Sequence, residues 1–366
     1  MTSELAAISH PSRVAEAGEG VSTEELQLAA RNHGLPLEAL RLDLTPPGLH
    51  YLLTHYDIPF IDPAAYRLTV DGLVDTALSL DLDAIRSLPR VSTVVTFECA
   101  GNGRALLTPR PVSQPWLVEA VGTARWTGTP LAPLLREASL HGRAVDVVFT
   151  GADHGVERGV EQDYQRGLSV TEALRDDVLL AYEMNGAPLL PQHGSPLRLV
   201  VPGWYGMAQV KWLTRVTVAA EPFDGYQMRA YRLRQHADDE GVPLTRIAPR
   251  ALLVPPGFPD FMSRARVLNA GPTVIEGRAW SGWSPVERVD VSVDGGCTWA
   301  SADVHPAPDR WGWTRWHWKW DAVDGDYLLS ARATDASSRR QVTDASWNRG
   351  GFANNSVQRV PVTVIG

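Results

Sequence analysis

Cysteine is nearly absent from this chain. Only Cys99 and Cys297 occur in 366 residues, too few for a disulfide framework. No Cys-x-x-Cys-His is present, which excludes attachment of a c-type haem. No apolar run approaches the ~20 residues that span a bilayer. The start, MTSELAAISHPSR, lacks a basic head followed by an apolar core, so it reads as neither a secretory nor a twin-arginine signal. The expected location is the cytoplasm, or the periplasm if the N-terminus is trimmed. A concentrated basic stripe is also missing, and the formal net charge is −8, which argues against nucleic acid as a partner. Global charge does not decide pocket charge, because a few arginines in a desolvated cleft attract an oxyanion into an acidic protein. What is abundant is apolar content, 44%, with 31 Gly and 27 Pro, which suits two or three globular domains with many turns.

The most informative segment is TFECAGNGR, residues 96–104. The β-branched run Val94-Val95-Thr96-Phe97 predicts a buried strand, and Gly101 to Gly103 lets the backbone turn just beyond it. Cys99 then sits at a strand end. A lone cysteine is ordinarily a small core hydrophobe. Here the turn's N–H donors and the fixed charge of Arg104 lie within reach, and both favour thiolate and bound anions.

Organisation along the chain falls into three parts. Residues 1–40 form an N-terminal extension with one predicted helix over 22–32, where Ser22 caps and Glu25 completes a capping box. Residues 41–250 alternate short β-rich and short helical runs, at 66–70, 91–97, 131–138, 145–150, 197–202 and 215–218, which predicts a mixed α+β domain. Past the Pro-rich stretch 248–259, helical patterning disappears. Residues 251–366 show short strands and Gly/Asp/Ser turns, such as 289–293 leading into Asp294-Gly295-Gly296, and predict an immunoglobulin-like β-sandwich. Of 13 tryptophans, Trp280, Trp283, Trp299, Trp311, Trp313, Trp316, Trp318, Trp320 and Trp347 fall in this last part. Their aromatic area exceeds one sandwich core, and the expectation is core plus a subunit interface rather than a carbohydrate-stacking strip.

Phe-Glu-Cys-Ala-Gly-Asn-Gly-Arg resembles the metal-ligand motif of the sulfite oxidase family of molybdenum enzymes. The resemblance implies a sulfite oxidase-like cofactor domain followed by a dimerisation sandwich, hence a homodimer. It also implies a molybdenum–molybdopterin cofactor whose metal takes Cys99 as its single protein ligand, a soft donor suited to a metal that changes oxidation state. His193 and Arg198 lie in His-Gly-Ser-Pro-Leu-Arg, similar to the family's His-Gly-x-Pro-x-Arg cofactor motif. Lys211 matches its phosphate-side lysine, with Gly206 to Gln209 as backbone donors. Asp153 and His55 resemble further pterin contacts. On the substrate side, Arg104 matches the motif's second arginine and Tyr231 the active-site tyrosine, although Ala230 replaces the usual preceding acid.

Two departures stand out. The Arg-Asn-His triplet of sulfite-oxidising members is replaced by Leu53-Thr54-His55, and the Arg31-Asn32-His33 that does occur precedes Thr45-Pro46. Arg315 is one position out of register with the sandwich arginine that lines the pocket in relatives. The activity implied is molybdenum-dependent oxidation of sulfite to sulfate by oxygen-atom transfer, with no haem in the chain and electrons passed to an external acceptor, a cytochrome or another carrier. Leu53 leaves open a larger sulfane-type substrate or another oxyanion. A non-catalytic sandwich binding protein is the reading of a different class.

Overall fold

The run before Cys99 forms the strand Val91–Glu98, whose last five residues are all buried. Residues 2–10 and 12–366 are described by the computed structural model. The strand pairs antiparallel with Val121–Pro130, which pairs in turn with Leu179–Met184; the short strands Ala187–Pro188 and Arg198–Val200 complete this sheet. A second five-stranded sheet runs in the order Leu78–Leu80, Leu68–Gly72, Leu213–Ala219, Asp146–Glu157, Val160–Ser169, with one parallel pair at Leu68–Gly72 and Leu213–Ala219. Leu68, Val70, Phe149 and Val216 of the one sheet pack with Leu180 and Leu199 of the other and with the helix Leu131–Glu137. This apolar layer holds rigid the strand ends that carry the site.

Helix is scarcer than the sequence pattern predicts. The longest helix, Thr23–Arg31, carries the expected capping box: Glu25 N–H donates to Ser22 Oγ at 3.3 Å and Ser22 N–H to Glu25 Oε2 at 2.9 Å. Glu25 is buried against Arg110 at 2.8 Å, so the extension is tied to the body of the protein. The rest of the first 250 residues is mostly β.

Arg250–Leu253 opens a four-stranded sheet with Gly271–Trp280, Thr314–Ala322 and Asp303–His305. A six-stranded sheet lies against it, and Val291, Leu329 and Val362 of the latter meet Ile275, Trp316 and Trp320 of the former. Strand alternation places Trp316, fully buried, inward and Arg315 outward. The tryptophans divide between interior and surface, with Trp283 39% exposed and Trp299, Trp318 and Trp347 half-buried. Trp316 and Trp320 fill the sandwich core, Trp280 and Trp313 pack where the sandwich meets Tyr205 and Tyr231, and Trp311 packs beside Phe97 and Trp126. Trp280, Trp311 and Trp313 thus weld the two halves together.

Candidate active site

Cys99 sits one residue beyond its strand, its N–H donating to Ala120 O at 2.9 Å and its carbonyl accepting from Asn102 N at 3.0 Å. Two glycines make the turn possible. A Cβ on Gly101 would lie 2.6 Å from the Arg104 guanidinium, and one on Gly103, whose φ is +89°, would meet Asn354 Nδ2 at 2.8 Å. Glu98, the residue before the cysteine, is buried with its charge paired. Arg250 Nε lies 2.8 Å from Glu98 Oε1, while Trp280 Nε1 and Asn102 Nδ2 donate to the carboxylate at 2.8 and 3.1 Å. Ala353 N–H donates to Ala100 O at 2.8 Å and Asn354 Nδ2 to Gly103 O at 2.8 Å. The cysteine turn is therefore fastened to the sandwich on both sides.

The turn opens on a cavity lined by Cys99, His55, Asp153, His193, Arg198, Gly206, Gln209, Lys211 and Tyr231, together with His50, Leu53 and Tyr164. Segments far apart in sequence thus converge there. Lys211 Nζ donates to Leu53 O at 2.9 Å and Gln192 O at 3.3 Å. Burial pushes its pKa down, and burial pushes that of Asp153 up. Arg198 donates to His193 O and Gln209 O at 2.9 and 3.1 Å and stacks over Trp126. Burial lowers His193 to about 4 and His50 to about 3, so both imidazoles are neutral. Arg198 Nε, Asp153 Oδ1 and His50 Nε2 are buried with no partner. Two cations held by neutral carbonyls, with an open Arg198 N–H beside unpartnered Asp153 and His50 atoms, suit a ligand that is anionic at one end and hydrogen-bonding along a polar ring.

Gln209 departs from expectation. Its N–H donates to Gly206 O, its Nε2 to Val201 O and Trp204 O, and its Oε1 accepts from Val201 N. Its polar groups hold the loop, leaving it as a support rather than a donor to a ligand.

Arg104 lies on the outer side of Cys99, in a cleft of about 580 Å³ that also contains Tyr231, Leu53 and His55. Its Nε donates to Gly350 O at 2.9 Å and Nη1 to Gln114 O at 3.2 Å, with Phe352 against the guanidinium. Burial lowers the pKa of Arg104. Tyr231 Oη and His55 Nε2 share a hydrogen bond of 2.9 Å. Burial raises the tyrosine well above its ordinary value and lowers the histidine, so the phenol keeps its proton.

Arg315 is not in this cleft. It lines a separate groove with Asp43, Arg278 and Trp313, as its outward strand position requires. The sandwich arginine that does reach the cleft is Arg349, accompanied by Arg158, Arg232 and Arg234. Among the described residues, Arg104, Arg158, Arg234 and Arg349 have no carboxylate partner, whereas Arg232 pairs with Glu240 at 3.0 Å. Sequence reasoning missed Arg349; its setting in Arg349-Gly350-Gly351, a tight cationic turn inside a strand-rich region, was the available signal. The Arg31-Asn32-His33 triplet lines neither cavity. Asn32 Oδ1 accepts from Thr54 N at 2.8 Å and His33 pairs with Leu52, bracing the backbone of the segment that bears Leu53. Among the described residues no cluster of three or more His, Cys, Asp or Glu is arranged to hold a metal.

A buried thiol at a strand end, a cavity holding Lys211 and Arg198 on one side and an arginine-lined cleft on the other make a site for an anionic cofactor beside the thiol and an anionic substrate in the cleft. Comparison with known proteins agrees. Residues 55–227 match the oxidoreductase molybdopterin-binding domain and residues 260–365 the Mo-co oxidoreductase dimerisation domain. The chain is 35% identical over 336 residues to sulfite oxidase of Gallus gallus, covering 86% of this chain and 72% of that protein. It is 34% identical over 344 residues to mitochondrial sulfite oxidase of Rattus norvegicus, covering 88% of this chain. It spans only 62% of the length of that relative. The structure of the sulfane dehydrogenase SoxCD from Paracoccus pantotrophus superposes with a TM-score of 0.79 at 26% identity, covering 95% of this chain and 87% of that one. The chain belongs to the sulfite oxidase family and carries its molybdopterin-binding and dimerisation domains.

Proposed function

We propose that the protein oxidises sulfite to sulfate and passes the electrons to an external acceptor. The observation that carries this reading is Arg104, a desolvated guanidinium without a carboxylate partner beside Cys99 and Tyr231. When bound, the molybdenum cofactor supplies the two-electron redox change and the oxygen-atom exchange. Cys99 Sγ is the residue to hold the metal. Lys211, Arg198 and the neutral His193 would hold the anionic end of the pterin, with Asp153 accepting from the ring. Arg104 binds and orients the substrate anion, and its neighbours Arg158, Arg234 and Arg349 steer it inward. Tyr231 keeps its proton at Oη, against His55 Nε2, and is placed to donate to a substrate oxygen. Folding as a catalytic part to residue 250, then an immunoglobulin-like sandwich that pairs two chains, completes the reading. The reading assigns electron transfer out of the site to a separate carrier rather than to a covalently attached c-type haem.

Replacing Arg104 by Ala should raise KM by about one to two decades, because a charge-assisted contact to an anion contributes about 1.5–3 kcal/mol. Arg104→Lys should recover only part of this, lacking the guanidinium fork. Arg349→Ala should raise KM in the same direction while Arg315→Ala leaves the kinetics unchanged. Equal effects of the two would remove Arg349 from the substrate cleft.

A larger sulfane-type substrate is the second reading, favoured by the apolar Leu53 and by a cleft of about 580 Å³, which is roomy for one small oxyanion. Steady-state reduction of an artificial acceptor by purified holoprotein, with sulfite against a persulfide-bearing thiol, separates the two. Turnover with the persulfide and none with sulfite would reverse the assignment.

A further inference from the structure

The outer face of the four-stranded sandwich sheet and the catalytic part enclose a groove of about 820 Å³, none of whose residues lines the cavity or the cleft at Cys99. Strand register sets the charges on that face. Arg278 of Gly271–Trp280 stands directly opposite Arg315 of Thr314–Ala322, and Arg315 directly opposite His305, so the three form one row across three strands. Like charges directly opposite one another on neighbouring strands repel. The next row on the same face, two residues along, is Glu276, His317 and Asp303. That row is balanced, because Glu276 meets Arg41 at 3.3 Å and Asp303 meets His317 at 3.4 Å. The first row is not. The Arg278 side chain is 2% exposed, whereas its carboxylate partner, Asp43 at 2.9 Å, is 89% exposed, where solvent weakens the pairing. Arg278 Nε is buried with no acceptor. Burial lowers the pKa of Arg278, Asp43 opposes the fall and Arg315 adds to it. Among the described residues, neither Arg315 nor Arg125, on the catalytic wall of the groove, has a carboxylate partner, and the one acid left free there is Asp309.

We propose that this row binds the phosphate or sulfate group of a small ligand, at a site separate from the one at Cys99. Arg278 is the buried floor and Arg315 the exposed arm. Two adjacent guanidinium groups offer forked donors that match a tetrahedral oxyanion, and the anion between them cancels their repulsion. His305, its Nε2 tied to His317 Nδ1 at 2.9 Å, closes the row. The groove's volume also admits an organic body on the anion, with Val274, Pro306 and Pro308 as its apolar wall. Nothing in this assignment depends on which substrate the Cys99 cleft takes.

Calorimetric titration of the molybdenum-loaded protein at fixed ionic strength tests the site, with inorganic phosphate, sulfate and adenosine monophosphate as probes. The titrations are run in the Arg104→Ala background, whose cleft has lost its substrate cation, so that the groove is read alone. Phosphate should bind there, and adding Arg315→Ala should raise its Kd by about one to two decades, the loss expected for one charge-assisted contact to an anion. Arg315→Lys should restore part of the affinity. A lower Kd for adenosine monophosphate than for phosphate assigns the site to a phosphate on an organic body, and equal values assign it to the free ion. Thermal unfolding of otherwise wild-type protein gives a second readout. Without oxyanion, Arg315→Leu should unfold above the wild type because the repulsion is gone, and phosphate should raise the wild-type midpoint more than that of the variant. Absence of binding in the Arg104→Ala background, binding there that Arg315→Ala leaves intact, or equal stabilisation of wild type and Arg315→Leu by phosphate overturns the proposal. Sulfite turnover by the Arg315→Ala protein reports on the Cys99 site independently.

Discussion

Cys99→Ser should abolish turnover while the fold survives, and Cys297→Ala should leave activity unchanged. Serine offers a harder and poorer donor than thiolate, and no neighbouring side chain is arranged to replace it, since no other candidate ligand cluster exists among the described residues. Oxygen for sulfur at a buried position whose N–H and carbonyl are both engaged by backbone changes little in packing, so unfolding midpoints of the two proteins should agree. Cys297 is exposed, in the turn after Asp294, far in the sequence from the site. Molybdenum content, acceptor reduction and thermal unfolding measured on the same preparations check the claim. Full activity in Cys99→Ser, or its loss in Cys297→Ala, would sink the ligand assignment.

The cysteine turn was legible because its constraint is local: an apolar strand, a reactive side chain and Gly-x-Gly spacing lie in nine consecutive residues. Local signals also announced the Thr23–Arg31 capping box and the strand-rich C-terminal part. What the sequence hid is non-local. Arg349 enters the cleft from a loop of the sandwich, 245 residues beyond Arg104, and no periodicity connects the two. Arg315 stays out of the cleft for the reason its register suggested, because Trp316 takes the inward position. The tryptophans were legible only as an amount. Composition shows how much aromatic area there is but not whether it faces a second subunit or the seam between two halves of one chain, and here the seam takes Trp280 and Trp313. Gln209 looked like a ligand contact because it sits in a cofactor-like motif, whereas its amide closes the loop upon itself.

The largest stability effect is expected from Arg250→Met. Glu98 is fully enclosed with its carboxylate 2.8 Å from Arg250 Nε, and the arginine also donates to Asn354 O. Removing the cation leaves a buried carboxylate with only the neutral donors Trp280 Nε1 and Asn102 Nδ2, and breaking one side of a buried pair costs about 3–5 kcal/mol. The loss falls on the seam that carries the cysteine turn, so the variant should lose both unfolding stability and its hold on molybdenum. Replacing both partners, as Glu98→Gln/Arg250→Met, removes the stranded charge while the amide oxygen still accepts from a neighbour, and should recover most of the stability. Urea unfolding of the apo-proteins separates the pair's contribution from that of the cofactor, and metal analysis of the holo-proteins reports the turn. If Arg250→Met unfolds at the wild-type urea midpoint, the ion pair is not what fastens the turn, and the hydrogen bonds from Ala353 N–H to Ala100 O and from Asn354 Nδ2 to Gly103 O must carry the seam.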